Sequence, residues 1–116
     1  MIFTALILLV SPVMGLANGG FSETCSSYWV SGTTLHADCL AIDQHIDSTS
    51  INLDICLVNS NGELGCWRGD YGASCWDCGL SGTIFGCTCN NDEHNPVYTS
   101  VNLDNCITND NGALTC

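Results

Sequence analysis

The sequence predicts an all-β domain with short helical turns, built from two copies of one small disulfide-stapled unit. The first observation is an internal repeat: residues 25–66 and 75–116, aligned without gaps at an offset of 50, are identical at 16 of 42 positions. Apolar and polar residues alternate with period two in both copies, which is typical of half-buried strands. An Asn-Gly pair recurs at the same place in each copy, and such pairs favour two-residue hairpin turns. An internal repeat fixes the architecture before any other feature.

The chain begins with a segment typical of an export signal. Residues 2–10 are apolar except for Thr4, and Ser11-Pro12 ends the run. Gly15-Leu16-Ala17 then supplies the small residues that a signal peptidase reads. We expect a signal peptide over residues 1–17 and one mature domain over residues 18–116, although no Lys or Arg precedes the apolar run. A buried N-terminal helix is the alternative.

Strands and turns follow in the same order in each copy. Alternation over 35–39 predicts one strand, and alternation over 51–54 and 101–104 predicts an equivalent strand in each half. Hairpin turns are expected at Gly32-Thr33, Gly82-Thr83, Asn61-Gly62 and Asn111-Gly112. Periodicity fails over Leu40–Asp47 and Asn90–Asn95, where short helical turns are predicted.

The charge balance limits the possible partners. Twelve acidic residues face a single base, Arg68, for a net charge of −11. Such a chain repels phosphate backbones and anionic membrane surfaces, which excludes nucleic acid and membranes as favoured partners. Neutral and cationic molecules remain as possible ligands.

The ten cysteines all follow residue 20, and with an export signal their even number predicts disulfides formed in an oxidising compartment. Because they flank the predicted turns, we expect five local bridges, each across one hairpin. These are Cys25–Cys39, Cys75–Cys89, Cys56–Cys66, Cys106–Cys116 and Cys78–Cys87. Zinc or redox chemistry at Cys75-Trp76-Asp77-Cys78, with Cys87 and Cys89, is the alternative.

Several short motifs, in one order and duplicated, carry a family resemblance. The first copy holds Phe21-Ser22-Glu23-Thr24-Cys25, Cys39, Ser50-Ile51-Asn52-Leu53-Asp54, Asn59-Ser60-Asn61-Gly62-Glu63-Leu64 and Trp67. The second holds Ser74-Cys75, Cys89, Val101-Asn102-Leu103-Asp104 and Asn109-Asp110-Asn111-Gly112-Ala113-Leu114. This order resembles the cyanovirin-N homology (CVNH) family over the whole mature chain.

The resemblance implies both fold and function. The implied fold has a triple-stranded antiparallel sheet and a β-hairpin in each half, with repeats at about 21–67 and 71–116. The implied function is a secreted lectin that binds high-mannose glycans, usually at Manα1-2Man termini, as a monomer or domain-swapped dimer. No enzyme activity, cofactor or metal is implied. The carboxylates and amides at the predicted turns suit sugar binding, because short polar side chains form hydrogen bonds with sugar hydroxyls at small entropic cost.

Carried over residue by residue, the family pattern implies two carbohydrate sites. The first comprises Gly20, Glu23, Thr24, Leu40, Ile42, Asp43, Asn109, Asp110 and Asn111. The second comprises Asn59, Asn61, Gly69, Asp70, Ser74, Asn90, Asn91, Asp92 and His94. The second departs further from the family, since Val58 and Ala73 stand where acidic side chains bind sugar.

Other interpretations stay open beside the lectin. A secreted structural or interaction protein could keep this fold without binding sugar. A hydrolase would need a catalytic triad or a carboxylate pair, for which no motif exists. Arg68-Gly69-Asp70 would also suit an integrin ligand. Trp67 is expected to pack in the core, by its position in the family.

Overall fold

Two three-stranded antiparallel sheets and two hairpins make up the fold in a computed structural model, which describes residues 19–116. The strands are β1 (Cys25–Ser31), β2 (Thr34–Leu40), β3 (Ile46–Asn52), β4 (Leu57–Ser60), β5 (Glu63–Cys66), β6 (Cys75–Ser81), β7 (Ile84–Asn90), β8 (Pro96–Asn102), β9 (Thr108–Asp110) and β10 (Ala113–Thr115). Single-turn 3-10 helices span Phe21–Glu23, Leu53–Ile55, Tyr71–Ala73 and Leu103–Asn105. The predicted all-β class is confirmed. The predicted signal peptide lies outside the described residues, and among these no helix has the length and apolar character to cross a membrane.

Each sheet begins with a hairpin that carries one bulge. Ser31 pairs with Thr34 across Gly32, whose φ of 61° lies in the left-handed region that glycine tolerates. The register then shifts between Ser26 and Trp29. The β6–β7 hairpin repeats both features. The repeated bulge shows that the two copies share backbone geometry as well as sequence.

The predicted helical turns are wrong in place. Residues 41–45 and 91–95 form tight turns between strands, and each holds a non-glycine residue at positive φ, Gln44 at 74° and His94 at 65°. The 3-10 helices lie elsewhere: two precede β1 and β6, and two follow β3 and β8. At the latter two, Asn52 and Asn102 accept hydrogen bonds from the N–H groups of Asp54 and Asp104. Side-chain capping by Asn starts these turns, a local signal that periodicity does not detect.

The hairpins pack on the sheet of the other copy. Thr99 Oγ1 on β8 accepts a hydrogen bond from Leu64 N–H on β5 (3.0 Å), and Thr49 Oγ1 on β3 accepts one from Leu114 N–H on β10 (3.2 Å). Each structural half therefore combines a sheet from one repeat with a hairpin from the other. This exchange brings the beginning and the end of the described chain together.

Three of the five predicted disulfides are confirmed: Cys25–Cys39, Cys75–Cys89 and Cys78–Cys87. The predicted bridges Cys56–Cys66 and Cys106–Cys116 are wrong, because the structure pairs Cys56 with Cys116 and Cys66 with Cys106. These two bonds join one repeat to the other.

Strand register explains the difference. Cys25 lies directly opposite Cys39, because the bulge corrects the register of β1 and β2. In the β4–β5 hairpin no bulge intervenes, so Cys66 lies opposite Leu57 and one position away from Cys56. Adjacent strand positions point to opposite faces of a sheet. A local bridge is therefore blocked, and the exchange of hairpins brings the alternative partner close.

The core is one apolar cluster shared by both repeats. Its fully buried side chains include Phe21, Leu35, Leu53, Leu57, Tyr71, Phe85, Leu103 and Ile107, and seven of the ten disulfide cysteines belong to the same cluster. Phe21 meets Tyr28 edge-on, and Tyr71 meets Phe85 edge-on with ring centroids 5.6 Å apart. Edge-to-face geometry suits the charge distribution of aromatic rings.

Burial of Tyr71 predicts a loss of stability at alkaline pH. Desolvation, with a further contribution from the Asp54 carboxylate, raises the pKa of Tyr71 from 10.0 to about 12. Below pH 10 the phenol is neutral in both states, whereas between these values the unfolded chain releases the proton and the folded chain keeps it. The free energy of unfolding should fall as pH rises from 10 to about 12, measured by denaturant titration. The free energy of unfolding of the Tyr71→Phe variant should fall less steeply over the same range. An identical decline in both proteins would contradict the assignment of this pH dependence to Tyr71.

Candidate functional site

The first predicted pocket is organised by Asn109, at the centre of the β9–β10 hairpin. Its amide nitrogen donates to Thr24 Oγ1 (2.8 Å) and to the carbonyl oxygen of Leu40 (2.9 Å). Its amide oxygen accepts from Gly112 N–H (2.8 Å). Both ends of the amide are thus engaged within the protein. Asn109 therefore holds the hairpin against the sheet end, and the side chains around it are the ones that can form hydrogen bonds with a ligand.

Asn111 joins the tip of the hairpin to the turn after β2. Its side-chain oxygen accepts a hydrogen bond from the backbone N–H of Ile42 (2.9 Å). In the same turn Asp43 Oδ1 accepts from His45 N–H (3.0 Å), which fixes the carboxylate on an exposed loop. An open depression of about 490 Å³ results, and it is lined by Ala41, Ile42, Asp43, His45, Asp47 and Asn111.

The segment that enters β1 completes this end of the molecule. Gly20, at φ 78°, donates its N–H to the carbonyl oxygen of Asp104 (2.6 Å), and Phe21 N–H donates to Ile107 (3.1 Å). Ser22 N–H donates to Asp104 Oδ1 (2.9 Å). These bonds fix the 3-10 helix that carries Glu23, whose side chain is exposed. Gly20 suits the bend because positive φ strains a residue with a Cβ.

The chemistry of this pocket is that of a hydrogen-bonding surface. Glu23, Asp43 and Asp110 are exposed acceptors, and the Thr24 hydroxyl can still donate while it accepts from Asn109. A carboxylate can accept from two neighbouring hydroxyls in charge-assisted bonds. The structure brings all nine predicted residues of the first site to the sheet end, hairpin and turns that form this surface. Their part in sugar binding stays a prediction.

The second predicted pocket repeats this frame. Asn59 donates to Ser74 Oγ and to the carbonyl oxygen of Asn90 (both 2.8 Å), and it accepts from Gly62 N–H (2.8 Å). Asn61 accepts from Asp92 N–H (2.9 Å), as Asn111 does from Ile42. Most of the predicted residues are therefore brought together here too.

The two pockets differ around the joint between the repeats. Val58 pairs with Asp70, and a Cβ built on Gly69 would collide with the Val58 side chain. An isopropyl group therefore lies where the first pocket has Thr108. Asn91 is used within its own turn, where it accepts from the N–H groups of Glu93 (3.0 Å) and Asn95 (2.9 Å). The second pocket thus lacks the hydroxyl that Thr108 supplies in the first, and its Asn91 side-chain oxygen is already engaged.

The sequence did not predict the placement of Asp47 or of Trp67. Asp47 lines the first depression and approaches the hairpin so closely that a Cβ on Gly112 would lie 2.5 Å from its carboxylate. Its counterpart in the repeat is Val97, and this difference between copies was the available signal. Trp67, expected in the core, is instead 74% exposed.

The disulfide pairing contradicts both the zinc site and a redox pair of Cys75 with Cys78, because Cys75 bonds to Cys89 and Cys78 to Cys87. Cys75, Cys78, Cys87 and Cys89 are all engaged in disulfides, so no thiolate remains there as a ligand. Within residues 19–116 no group of three or more His, Cys, Asp or Glu side chains is arranged to hold a metal ion.

Comparison with known proteins agrees with this geometry. The CVNH domain family model matches residues 21–115. The structure of microvirin in complex with mannobiose is 31% identical, with a TM-score of 0.71 over 85% of this chain and 97% of that one. The structure of TbCVNH from T. borchii is 25% identical, with a TM-score of 0.72 over 83% of this chain and 97% of that one.

A more distant structure shares the fold. A MoCVNH3 variant in complex with (N-GlcNAc)4 is 18% identical, with a TM-score of 0.77 over 84% of this chain and 96% of that one. A comparison with curated protein sequences gave no match. The family model covers nearly all of the described residues, and the chain therefore belongs to the CVNH family.

Proposed function

We propose that this protein is a secreted lectin that binds mannose-rich glycans reversibly, without altering them. The first pocket is the main site. Hydroxyls of a terminal mannose donate to the carboxylates of Glu23 and Asp43, and the Thr24 hydroxyl donates to a sugar oxygen. Asn109 and Asn111 keep these groups in place.

The observation that carries the proposal is the engagement of Asn109 and Asn111. Their three bonds to Thr24, Leu40 and Ile42 hold the hairpin against the sheet end and the turn. The Asp43 and Asp110 carboxylates nearby are exposed on short side chains, so little side-chain entropy is lost there when a sugar binds. Microvirin, at 31% identity, has been solved with mannobiose, which supports a mannose disaccharide as the ligand.

The second pocket is proposed as the weaker site. Val58 supplies no hydrogen-bonding group, and Asn91 is occupied in its turn. A branched glycan could still bridge both pockets, because two weak sites on one body raise the effective affinity. We propose a monomer as the working form.

Secretion is proposed on the cysteine chemistry. The structure pairs all ten cysteines, and disulfides persist in oxidising compartments. The apolar segment at residues 2–10 supports export through a cleaved signal.

Glu23→Gln tests the function directly. The change keeps size, shape and one acceptor oxygen but removes the charge, so affinity for a Manα1-2Man disaccharide should fall about tenfold, because the hydrogen bonds from sugar hydroxyls lose their charge assistance. Isothermal titration calorimetry of the oxidised domain measures this.

Glu63→Gln is the matched control. Glu63 is an exposed acid on β5 outside both pockets, and its change alters the net charge equally. It should bind like the parent protein. If the parent shows no heat of binding with any mannoside, the protein is not a mannose lectin, and a structural role replaces the proposal. Equal losses in both variants would point to net charge and overturn the role of Glu23.

A further inference from the structure

A cleft separate from both pockets lies where the two repeats are cross-linked. It has a volume of about 380 Å³. Its lining residues are Ile55, Cys56, Cys66, Trp67, Arg68, Asn105, Cys106 and Cys116. Both disulfides that join the repeats line it, and it shares no residue with either predicted sugar site.

The cleft combines a rigid base with exposed apolar groups. Cys56 and Cys106 are buried, whereas the Trp67 and Ile55 side chains are 74% and 44% exposed. The Cys66–Cys106 bond fixes the residue directly before Trp67, and the Cys56–Cys116 bond lines the same cleft. A large aromatic surface held open on a covalently fixed frame loses little entropy when a ligand covers it.

Arg68 gives the cleft its charge. It is the only Lys or Arg in a chain with twelve acidic residues. Among residues 19–116 no carboxylate lies within 4.0 Å of its guanidinium group, since the one ion-pair contact found there joins His45 and Asp43. None of the lining side chains is acidic, and the backbone carboxylate of Cys116, the last residue of the sequence, lies more than 4.0 Å from the Arg68 guanidinium. Arg68 is therefore the one charged side chain that lines the cleft, and it gives the cleft a local preference for an anion.

We propose that this cleft is a third saccharide site, and that it binds a single uronic acid residue. The apolar face of the pyranose ring packs on the Trp67 indole, and the planar guanidinium of Arg68 donates two parallel hydrogen bonds to the sugar carboxylate. The Asn105 side chain is the partner for a ring hydroxyl.

The net charge of the protein also limits how many negative charges the ligand can carry. The net charge of −11 repels a polyanionic chain as a whole. The site therefore suits one acidic residue within, or at the end of, an otherwise neutral glycan. This distinguishes it from a binding site for sulfated or fully uronic polysaccharides.

The test uses the oxidised full domain and two disaccharides that differ in one group. Glucuronosyl-glucose is the acidic probe, and the corresponding glucosyl-glucose is the neutral control. Binding is followed by NMR, through the Trp67 indole and Arg68 guanidinium signals. The acidic sugar should shift both signals at millimolar concentration and bind about tenfold more tightly than the neutral one. Added salt should narrow this difference, because the site is exposed.

Variants separate the two contacts. Arg68→Gln should bring the acidic probe down to the affinity of the neutral one, and Trp67→Ala should remove binding of both. Trp76→Ala, which removes an exposed indole outside the cleft, should leave both affinities unchanged. All three positions are exposed, and amide spectra verify folding.

Equal affinities for the two sugars, or the absence of any shift at Trp67, would overturn the proposal. The outcome is independent of mannose binding, because Glu23→Gln should not alter it.

Discussion

Removal of both cross-links between the repeats is expected to lower the free energy of unfolding by about 7 kcal/mol. The variant carries Cys56→Ala, Cys106→Ala, Cys66→Ser and Cys116→Ser. Alanine is chosen at the two buried positions, since a serine hydroxyl there would be left without a partner. Typical domains are stable by only about 5–15 kcal/mol, so we expect this variant to be partly or wholly unfolded.

The magnitude follows from the loops that the bonds close in the unfolded chain. Cys66–Cys106 spans a sequence separation of 40 residues, worth about 4 kcal/mol in the chain-entropy model. With that bond in place, Cys56–Cys116 closes a ring of the segments 56–66 and 106–116, ten residues each and so about 20 in all, worth about 3 kcal/mol. Guanidinium unfolding of the parent protein, followed by far-UV circular dichroism, gives its stability, and the spectrum of the variant without denaturant shows whether the loss exceeds that stability.

The matched control removes the bond within one hairpin. Cys78→Ser with Cys87→Ala opens a separation of 9 residues, nested inside Cys75–Cys89. The expected loss is only about 2 kcal/mol. A hairpin-bond variant as unstable as the cross-link variant would contradict the view that the bonds between repeats hold the two halves together.

Asn109→Ala is expected to cost about 2–3 kcal/mol of stability, because it removes three hydrogen bonds and leaves a part-buried carbonyl and amide without partners. Asn59→Ala removes the same three bonds in the other half and should cost a similar amount. Thermal or chemical unfolding of the two variants measures this equality.

The two variants should differ in sugar binding. Only Asn109→Ala loosens the first pocket, so it alone should lose most of its affinity for a mannose disaccharide. Asn109→Asp serves as the second variant: it keeps an acceptor for Gly112 N–H but faces the Leu40 carbonyl with a negative charge, and it should be no better than alanine. If Asn59→Ala loses mannose affinity as fully as Asn109→Ala, the first pocket is not the main site.

Much of the fold follows from local signals in the sequence. Strand alternation and Asn-Gly pairs are encoded within a few residues, so the hairpins and the bonds Cys25–Cys39, Cys75–Cys89 and Cys78–Cys87 could be predicted. The exchange of hairpins between repeats has no local signal. It depends on which sheet a hairpin contacts, and Thr49 and Thr99 sit at identical places in the two copies. The repeat alone therefore allows each hairpin to pack on the sheet of its own copy or on that of the other copy.

One residue of register separates the correct from the incorrect disulfides. Cys56 and Cys66 are nearly symmetric about Asn61-Gly62, and the sequence does not show that the β4–β5 hairpin lacks the bulge that β1 has. The site shows the same limit. The order of motifs brings Asn109 and Thr24 to one pocket, but it does not reveal that Asn109 has both amide ends engaged within the protein.

The most direct measurement is a titration of the oxidised domain with a Manα1-2Man disaccharide, followed residue by residue through backbone NMR signals. Shifts should concentrate on Glu23, Thr24, Ile42, Asp43 and Asn111, with weaker changes at the second pocket and none at Trp67. A spectrum that stays unchanged at saturating sugar, or shifts confined to residues outside this surface, would contradict mannose recognition at the pocket near the chain ends.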